Sequence, residues 1–309
     1  MTNRAIKSML SIPRRIESQV MAQQQAATVL AEPTHRYVEV EGLKLHYLDW
    51  GGDRGKRTFV LLHGGAAHVR WWDTVAPLLT AYGRVLALDF RGHGRSQWAG
   101  AGNYGPPAYQ NDVQGLIESL GTRVILVGHS MGGAVAQWVA VTHPELLEAL
   151  IIVDAPHGPP PLFRRLMWRW RRRSHGGVRP VLRSADDIIK KFRLQPPETS
   201  LTRIEIERLA LLGAEQLPNG TWAFRFDPET RAWRKHGHKM TRPKIGQIKM
   251  PTLLLRGDQS GLVSPSHVAA MHRKIRGSVL KEIPRAFHHV PLDNPGDTAA
   301  AIIEFVEKL

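Results

Sequence analysis

Cysteine is absent from this 309-residue sequence. Its absence excludes disulfide bonds, zinc sites built on thiolates and a cysteine nucleophile. No run of about eighteen apolar residues is present either, so we expect no transmembrane helix. Internal repeats are also lacking, and the apolar content of 42% is ordinary for a globular protein. The composition therefore fits a globular protein of the cytoplasm.

Acidic side chains are few relative to basic ones, which gives a formal net charge of +15. Residues 1–35 contain scattered basic side chains and a glutamine run. They lack the apolar core of a signal peptide, which is roughly 7–15 residues long. We therefore expect residues 1–35 to be an N-terminal extension without a catalytic role.

The stretch around Ser130 predicts a buried strand, a sharp turn and a helix. Apolar and β-branched residues lead into Gly128-His129-Ser130-Met131-Gly132, which matches G-x-S-x-G, and an apolar segment of helical length follows. Small neighbours let the strand and the helix approach closely while the turn exposes the serine hydroxyl. Ser130 is therefore predicted to be a nucleophile, lying at a helix N-terminus that favours negative charge.

Strands and helices alternate on both sides of this turn. Residues 37–48 alternate like an antiparallel hairpin, whereas residues 58–62 form a continuous apolar run typical of a strand buried on both faces. Further strands are predicted at residues 84–88, 149–153 and 251–258, with helices at 71–81, 108–120, 131–143 and 298–306. This alternation predicts an α/β fold with a doubly wound, mostly parallel sheet.

The motifs His63-Gly64-Gly65, residues 89–96 and residues 128–133 resemble, in this order and spacing, those of the α/β-hydrolase superfamily. The resemblance implies an α/β-hydrolase core at residues 36–156 and 250–309. It also implies that residues 157–249 are an inserted helical cap over the active site. A serine at the nucleophile position argues against the epoxide-hydrolase and haloalkane-dehalogenase branches, which use aspartate there.

The predicted cap carries most of the positive charge. Eight arginines and two tryptophans fall within residues 164–183 without an acidic residue among them. A solvated basic face, docking onto an anionic membrane surface, and steering of an anionic substrate all remain open. No nucleic-acid-binding motif accompanies the charge, so nucleic acid is not an expected partner.

A serine nucleophile needs a histidine base and a carboxylate that orients it. In the superfamily the order along the chain is serine, acid, histidine. The loop that contains His288 and His289 resembles the family pattern in which the base precedes an acid by five residues, and this selects His288 through Asp293. The usual acid position is occupied by Ser260, so the acid is expected at Asp258, with Asp154 as the alternative.

The oxyanion donors are expected to be the backbone N–H groups of Met131 and Gly65, with Ala66 as a fallback. Together these residues predict a serine hydrolase that acts on a carboxylic ester or thioester, without a metal or cofactor. Carbon–carbon bond hydrolysis, acyl transfer and a non-catalytic ligand receptor on the same fold remain alternatives. We expect Trp71 and Trp72 to wall the acyl pocket.

Overall fold

The computed structural model describes residues 32–157, 179–231 and 243–309. The predicted extension therefore lies outside the described residues, except for its last four positions. Most of the arginines within residues 164–183 also lie outside them, and only Arg179 and Arg183 are described.

The described residues contain eleven strands and eight α-helices. The strands are β1 Thr34–Val40, β2 Leu43–Asp49, β3 Arg57–Leu62, β4 Gly83–Leu88, β5 Val124–His129, β6 Leu147–Val153, β7 Val181–Leu182, β8 Ala214–Gln216, β9 Trp222–Phe224, β10 Thr252–Gly257 and β11 Val279–Ile283. The helices are α1 Ala76–Leu79, α2 Pro106–Leu120, α3 Met131–Thr142, α4 Ala185–Lys191, α5 Arg203–Leu212, α6 Pro265–Lys274, α7 Val290–Asp293 and α8 Pro295–Val306.

Eight of the strands form one mixed sheet with the order β1-β2-β4-β3-β5-β6-β10-β11. The predicted hairpin is confirmed, because β1 pairs antiparallel with β2 and β2 pairs antiparallel with β4. The remaining pairs are parallel. The predicted doubly wound α/β fold is thus present, and the carboxyl ends of its parallel strands share one edge of the sheet.

Apolar clusters cover both faces of this sheet. The central strand β3 alternates its side chains between the two clusters, which explains its continuous apolar sequence. Helix α8 covers one face with Ala299, Ile302, Ile303 and Val306, as their spacing predicted. None of the described helices is both long enough and apolar enough to cross a bilayer.

The predicted helix at residues 71–81 is wrong in its continuity. The structure instead has a 3₁₀ turn at Val69–Trp72, the short helix α1, and a second 3₁₀ turn at Thr80–Tyr82. Pro77 lies in the first turn of α1. A proline is tolerated there but has no N–H to continue a preceding helix, so the helix restarts instead of running through.

The insert, defined as residues 157–249, contributes no strand to the main sheet within its described part. Helix α4 begins after the N-cap Ser184, and helix α5 begins with a capping box between Thr202 and Glu205. A small antiparallel sheet with the order β7-β9-β8 accompanies them. The insert is therefore not purely helical, although the resemblance implied a helical cap.

The insert is tied to the core beside the turn that follows β4. The Asp227 N–H donates to the Gly92 carbonyl over 2.9 Å, and the buried Tyr104 hydroxyl donates to the Asp227 carboxylate. Phe226 and His93 form an isolated antiparallel bridge next to these bonds. These contacts fix residues 226–230 against the same sheet edge that holds Ser130.

Candidate active site

The turn at Ser130 is strained, and its glycines permit the close packing. Ser130 has φ 52° and ψ −114°, between the end of β5 and the start of α3. A Cβ at Gly128 would lie 2.5 Å from the Gly132 carbonyl oxygen, and one at Gly133 would lie 2.4 Å from the Ala155 Cβ. The strand, turn and helix predicted around Ser130 are therefore present, with their steric cause.

Ser130, His288 and Asp154 form one continuous chain of hydrogen bonds. The Ser130 hydroxyl lies 2.9 Å from His288 Nε2, and His288 Nδ1 lies 2.7 Å from Asp154 Oδ2. Because the ionised carboxylate only accepts, Nδ1 carries the proton and Nε2 is left to accept from the serine. The side chains of His288 and Asp154 are only 3% and 0% exposed, which shields the pair from competing water.

His288 contacts Asp154, the alternative acid of the sequence analysis, and does not contact Asp258, the preferred one. The side chain of Asp258 is exposed, and its Oδ1 accepts from the Ala286 N–H over 3.2 Å. Asp258 is the first residue after β10, and its side chain hydrogen-bonds to the backbone of the loop that contains Ala286. Asp154, which follows β6, has φ 42° and is directed towards His288.

Ser260 occupies the family's usual acid position, and its side chain contacts Asp154. Its hydroxyl donates to Asp154 Oδ2 over 2.7 Å, while the Gly257 N–H lies 3.3 Å from Asp154 Oδ1. Two donors from the β10 turn therefore orient a carboxylate that belongs to β6. The absence of an acid at position 260 is the one feature of the sequence that points to this contact.

The neighbouring histidines His63, His93 and His129 hydrogen-bond to backbone carbonyl groups. His63 Nδ1–H donates to the Gly64 carbonyl over 2.7 Å, and His129 Nε2–H donates to the His288 carbonyl over 2.8 Å. His289 Nε2–H donates to the Pro196 carbonyl of the insert over 2.8 Å. One nitrogen from each of His129, His288 and His289 lies within 4.8 Å of the others, but both nitrogens of His288 are already hydrogen bonded.

Two backbone N–H groups near Ser130 have no acceptor among the described residues. They belong to Gly65 and Met131, and a Cβ built at Gly65 would lie 3.7 Å from the Met131 Sδ. Met131 is the first residue of α3, where an N–H has no partner within the helix. The N–H of Ala66, the fallback donor, lies 3.3 Å from His93 Nε2 and is already used.

Of the two tryptophans expected at the acyl pocket, only Trp71 lies beside these residues. Its ring centroid lies 6.1 Å from that of His129 and 5.4 Å from that of His289. Trp71 also packs against Leu194 and Leu209 of the insert. Trp72 is 1% exposed and packs into the sheet core, so its large side chain serves the core and not the site.

Burial sets the protonation of the histidine and the carboxyl. It lowers the pKa of His288 to about 3, and the nearby charge of His289 acts in the same direction. It also raises the pKa of Asp154 to about 7, against the hydrogen bonds from Ser260 and Gly257. The imidazole is therefore neutral at pH 7, and the pair takes up its first proton as the pH falls through about 7.

We expect kcat/KM for ester hydrolysis to fall tenfold per pH unit below about pH 7, because the protonated pair no longer accepts the serine proton. Ser260→Ala removes a donor that favours the ionised carboxylate, so the midpoint should move to higher pH. Activity at pH 7 should then drop by roughly tenfold. A pH–rate profile measures both effects, with Ser266→Ala as the control. An unshifted midpoint in Ser260→Ala would contradict the expected role of this hydroxyl.

The fold and the serine turn define an α/β hydrolase, and comparison with known proteins agrees. Residues 59–301 match the model of the alpha/beta hydrolase family, so the chain belongs to that family and is a hydrolase.

Two curated relatives match most of the chain. A mouse (Mus musculus) sn-1-specific diacylglycerol lipase is 30% identical over 285 residues, with 87% of each chain covered. An esterase of Mycobacterium tuberculosis is 28% identical over 281 residues, with 89% of each covered. The crystal structure of E-2-(acetamidomethylene)succinate hydrolase has the same fold. It superposes with a TM-score of 0.75 at 22% identity, covering 89% of this chain and 99% of that one.

Proposed function

We propose that this α/β hydrolase is a serine hydrolase that cleaves carboxylic esters or thioesters through an acyl-enzyme intermediate. The observation that carries the proposal is the continuous chain from the Ser130 hydroxyl through His288 to the Asp154 carboxylate. A serine hydroxyl is a weak nucleophile. Transfer of an acyl group to it requires the serine itself, a base that takes its proton and an acid that orients the base.

In the first step the Ser130 oxygen attacks the substrate carbonyl carbon while His288 Nε2 takes the hydroxyl proton. The Asp154 carboxylate stabilises the imidazolium that forms and holds its Nδ1–H in place. The carbonyl oxygen becomes an oxyanion, which the N–H groups of Gly65 and Met131 bind. Each such donor contributes about 3 kcal/mol to transition-state stabilisation in related chemistry.

In the second half, His288 gives its proton to the departing alcohol or thiol as the acyl-enzyme forms. A water molecule then transfers a proton to His288 Nε2 and attacks the acyl carbon. Collapse of the second oxyanion returns the proton to the Ser130 oxygen and releases the carboxylic acid. The same residues support carbon–carbon bond hydrolysis or acyl transfer, but the lipase and the esterase among the relatives favour ester substrates.

The alternative of a non-catalytic receptor rested on the missing acid at position 260. Asp154 supplies a carboxylate within 2.7 Å of His288, so this reason no longer applies.

We propose that the insert, residues 157–249, acts as a cap over a core made of residues 36–156 and 250–309. Pro196 and Leu209 of the insert contact the histidine cluster and Trp71, which supports this division. An anionic membrane surface stays a proposed partner through the arginines of residues 164–173, which lie outside the described residues. Arg179 is not free for such a role, because it pairs with Glu215 and lies over the Trp98 ring.

A fluorophosphonate probe tests the proposed nucleophile directly. We expect the folded protein to hydrolyse p-nitrophenyl butyrate and to lose this activity as the probe reacts. Peptide mass spectrometry should locate one adduct on Ser130. An adduct on a different residue, with activity lost in parallel, would contradict the proposal.

A further inference from the structure

A cavity of about 70 Å³ lies between the core and the insert. Its lining contains none of Ser130, His288 and Asp154, so it is separate from the candidate active site. Most of its polar lining is cationic or can become so. These residues are His35, His46, His68, Arg70, Arg95 and Arg225, and the lining contains one acid, Asp89.

The one lining acid, Asp89, already accepts three hydrogen bonds from other groups. It accepts from the Val69 N–H over 2.8 Å, from His46 Nδ1 over 2.7 Å and from the Arg95 N–H over 3.0 Å. No carboxylate of the described residues lies within ion-pair distance of the Arg95 guanidinium, although Arg70 and Arg225 do have acidic partners. The cavity therefore holds more positive than negative charge.

The nearby positive charges lower the pKa of two groups that line the cavity. The pKa of His35 is lowered by burial and then by the charges of Arg95, His46 and Arg70. The pKa of Arg225 is lowered by burial, and the charge of Arg95 adds to this against the opposing charge of Glu215. Like charges that lower one another's pKa create a positive potential, which attracts an anion into the cavity.

An unpaired acceptor, His68 Nδ1, indicates which kind of anion fits the cavity. His68 is 6% exposed, and its Nε2–H donates to the Leu209 carbonyl over 3.3 Å. Its Nδ1 is therefore a bare acceptor, and no partner for it occurs among the described residues. A buried unpaired acceptor is costly, so a ligand that brings its own hydroxyl donor fits better than a fully deprotonated anion.

We propose that this cavity binds free hydrogen phosphate. Its charged oxygens accept from the guanidinium groups of Arg95 and Arg225, and its P–OH donates to His68 Nδ1. Because Arg95 belongs to the core and Arg225 to the insert, the bound ion joins the two parts. This site is independent of the proposed hydrolase activity.

The test is isothermal titration calorimetry of the full chain with inorganic phosphate at pH 7 and constant ionic strength. We expect saturable phosphate binding and a concentration-dependent rise in Tm. Sulfate, which carries no hydroxyl donor, should bind about tenfold more weakly. Arg95→Gln should weaken phosphate binding by about tenfold, because it removes a charge-assisted hydrogen bond. Arg95 is exposed, so this variant is expected to fold.

Arg203→Gln is the matched control, because Arg203 is 90% exposed on α5 and pairs with Glu207 away from the cavity. It should leave phosphate binding unchanged. Absent phosphate binding, equal binding of sulfate, or equal weakening by both arginine variants would overturn the proposal. Tighter binding of glycerol 3-phosphate than of inorganic phosphate would also overturn it, since the site would then belong to an esterified phosphate.

Discussion

Ser130→Ala is expected to lower kcat for p-nitrophenyl butyrate by a factor on the order of 10⁶. Alanine removes the oxygen that forms the acyl-enzyme, and neither His288 nor the oxyanion donors can replace a nucleophile. The fold should be retained, because serine and alanine share the Cβ that strains the backbone at φ 52°. The measurements are steady-state kinetics and thermal unfolding of the purified variant.

Ser119→Ala is a suitable control, since the Ser119 hydroxyl donates to the Leu116 carbonyl on α2 and has no other partner among the described residues. It should keep full activity. Residual activity is expected in Ser130→Ala, because bound water can still react slowly beside the oxyanion donors. A loss of less than about tenfold would mean that another group is the nucleophile.

The turn at Ser130 could be predicted because its signals are local. A buried strand, small residues at fixed positions and a serine between them follow from the steric needs of a single turn. The resemblance over a short loop also selects His288 over His289, and His288 is the histidine that hydrogen-bonds to Ser130. The hairpin, the parallel strands and the helix α8 followed from apolar periodicity.

The acid could not be chosen from local sequence. Strands β6 and β10 are neighbours, paired at Val153 and Leu255, so their carboxyl ends present two carboxylates side by side. Which one faces His288 depends on the side-chain directions of Asp154 and Asp258 after each strand ends. The positive φ of Asp154 decides this direction, and no sequence pattern reports it.

The small sheet of the insert was missed for a related reason. Strands β7 and β8 contain two and three residues, which is too short for an alternating pattern to appear. The cation-lined cavity depends on residues from Arg70 to Arg225 that only the tertiary fold brings together. Both features depend on contacts between residues that are far apart in the sequence, which local sequence patterns do not report.

Asp154→Asn is expected to lower kcat by about 10⁴-fold, because the amide donates to Nδ1 and favours the tautomer that cannot accept the serine proton. Asp258→Asn should change kcat by less than about threefold, since its contact with the Ala286 N–H can be kept by the amide oxygen. Steady-state kinetics on the same ester compare the two variants. Each variant replaces a carboxylate by an amide, at the end of one of two neighbouring strands.

A double variant sharpens the comparison. The Ser260 hydroxyl lies 2.7 Å from the Asp154 carboxylate, so Asp154→Asn combined with Ser260→Asp places a new carboxylate next to the old position. We expect it to recover about tenfold or more of the activity lost in Asp154→Asn, because a nearby carboxylate again stabilises the imidazolium. Ser266→Asp in the same background adds an equal charge on the exposed start of α6 and should recover nothing. If Asp258→Asn instead lost more activity than Asp154→Asn, the role of the acid would pass back to Asp258.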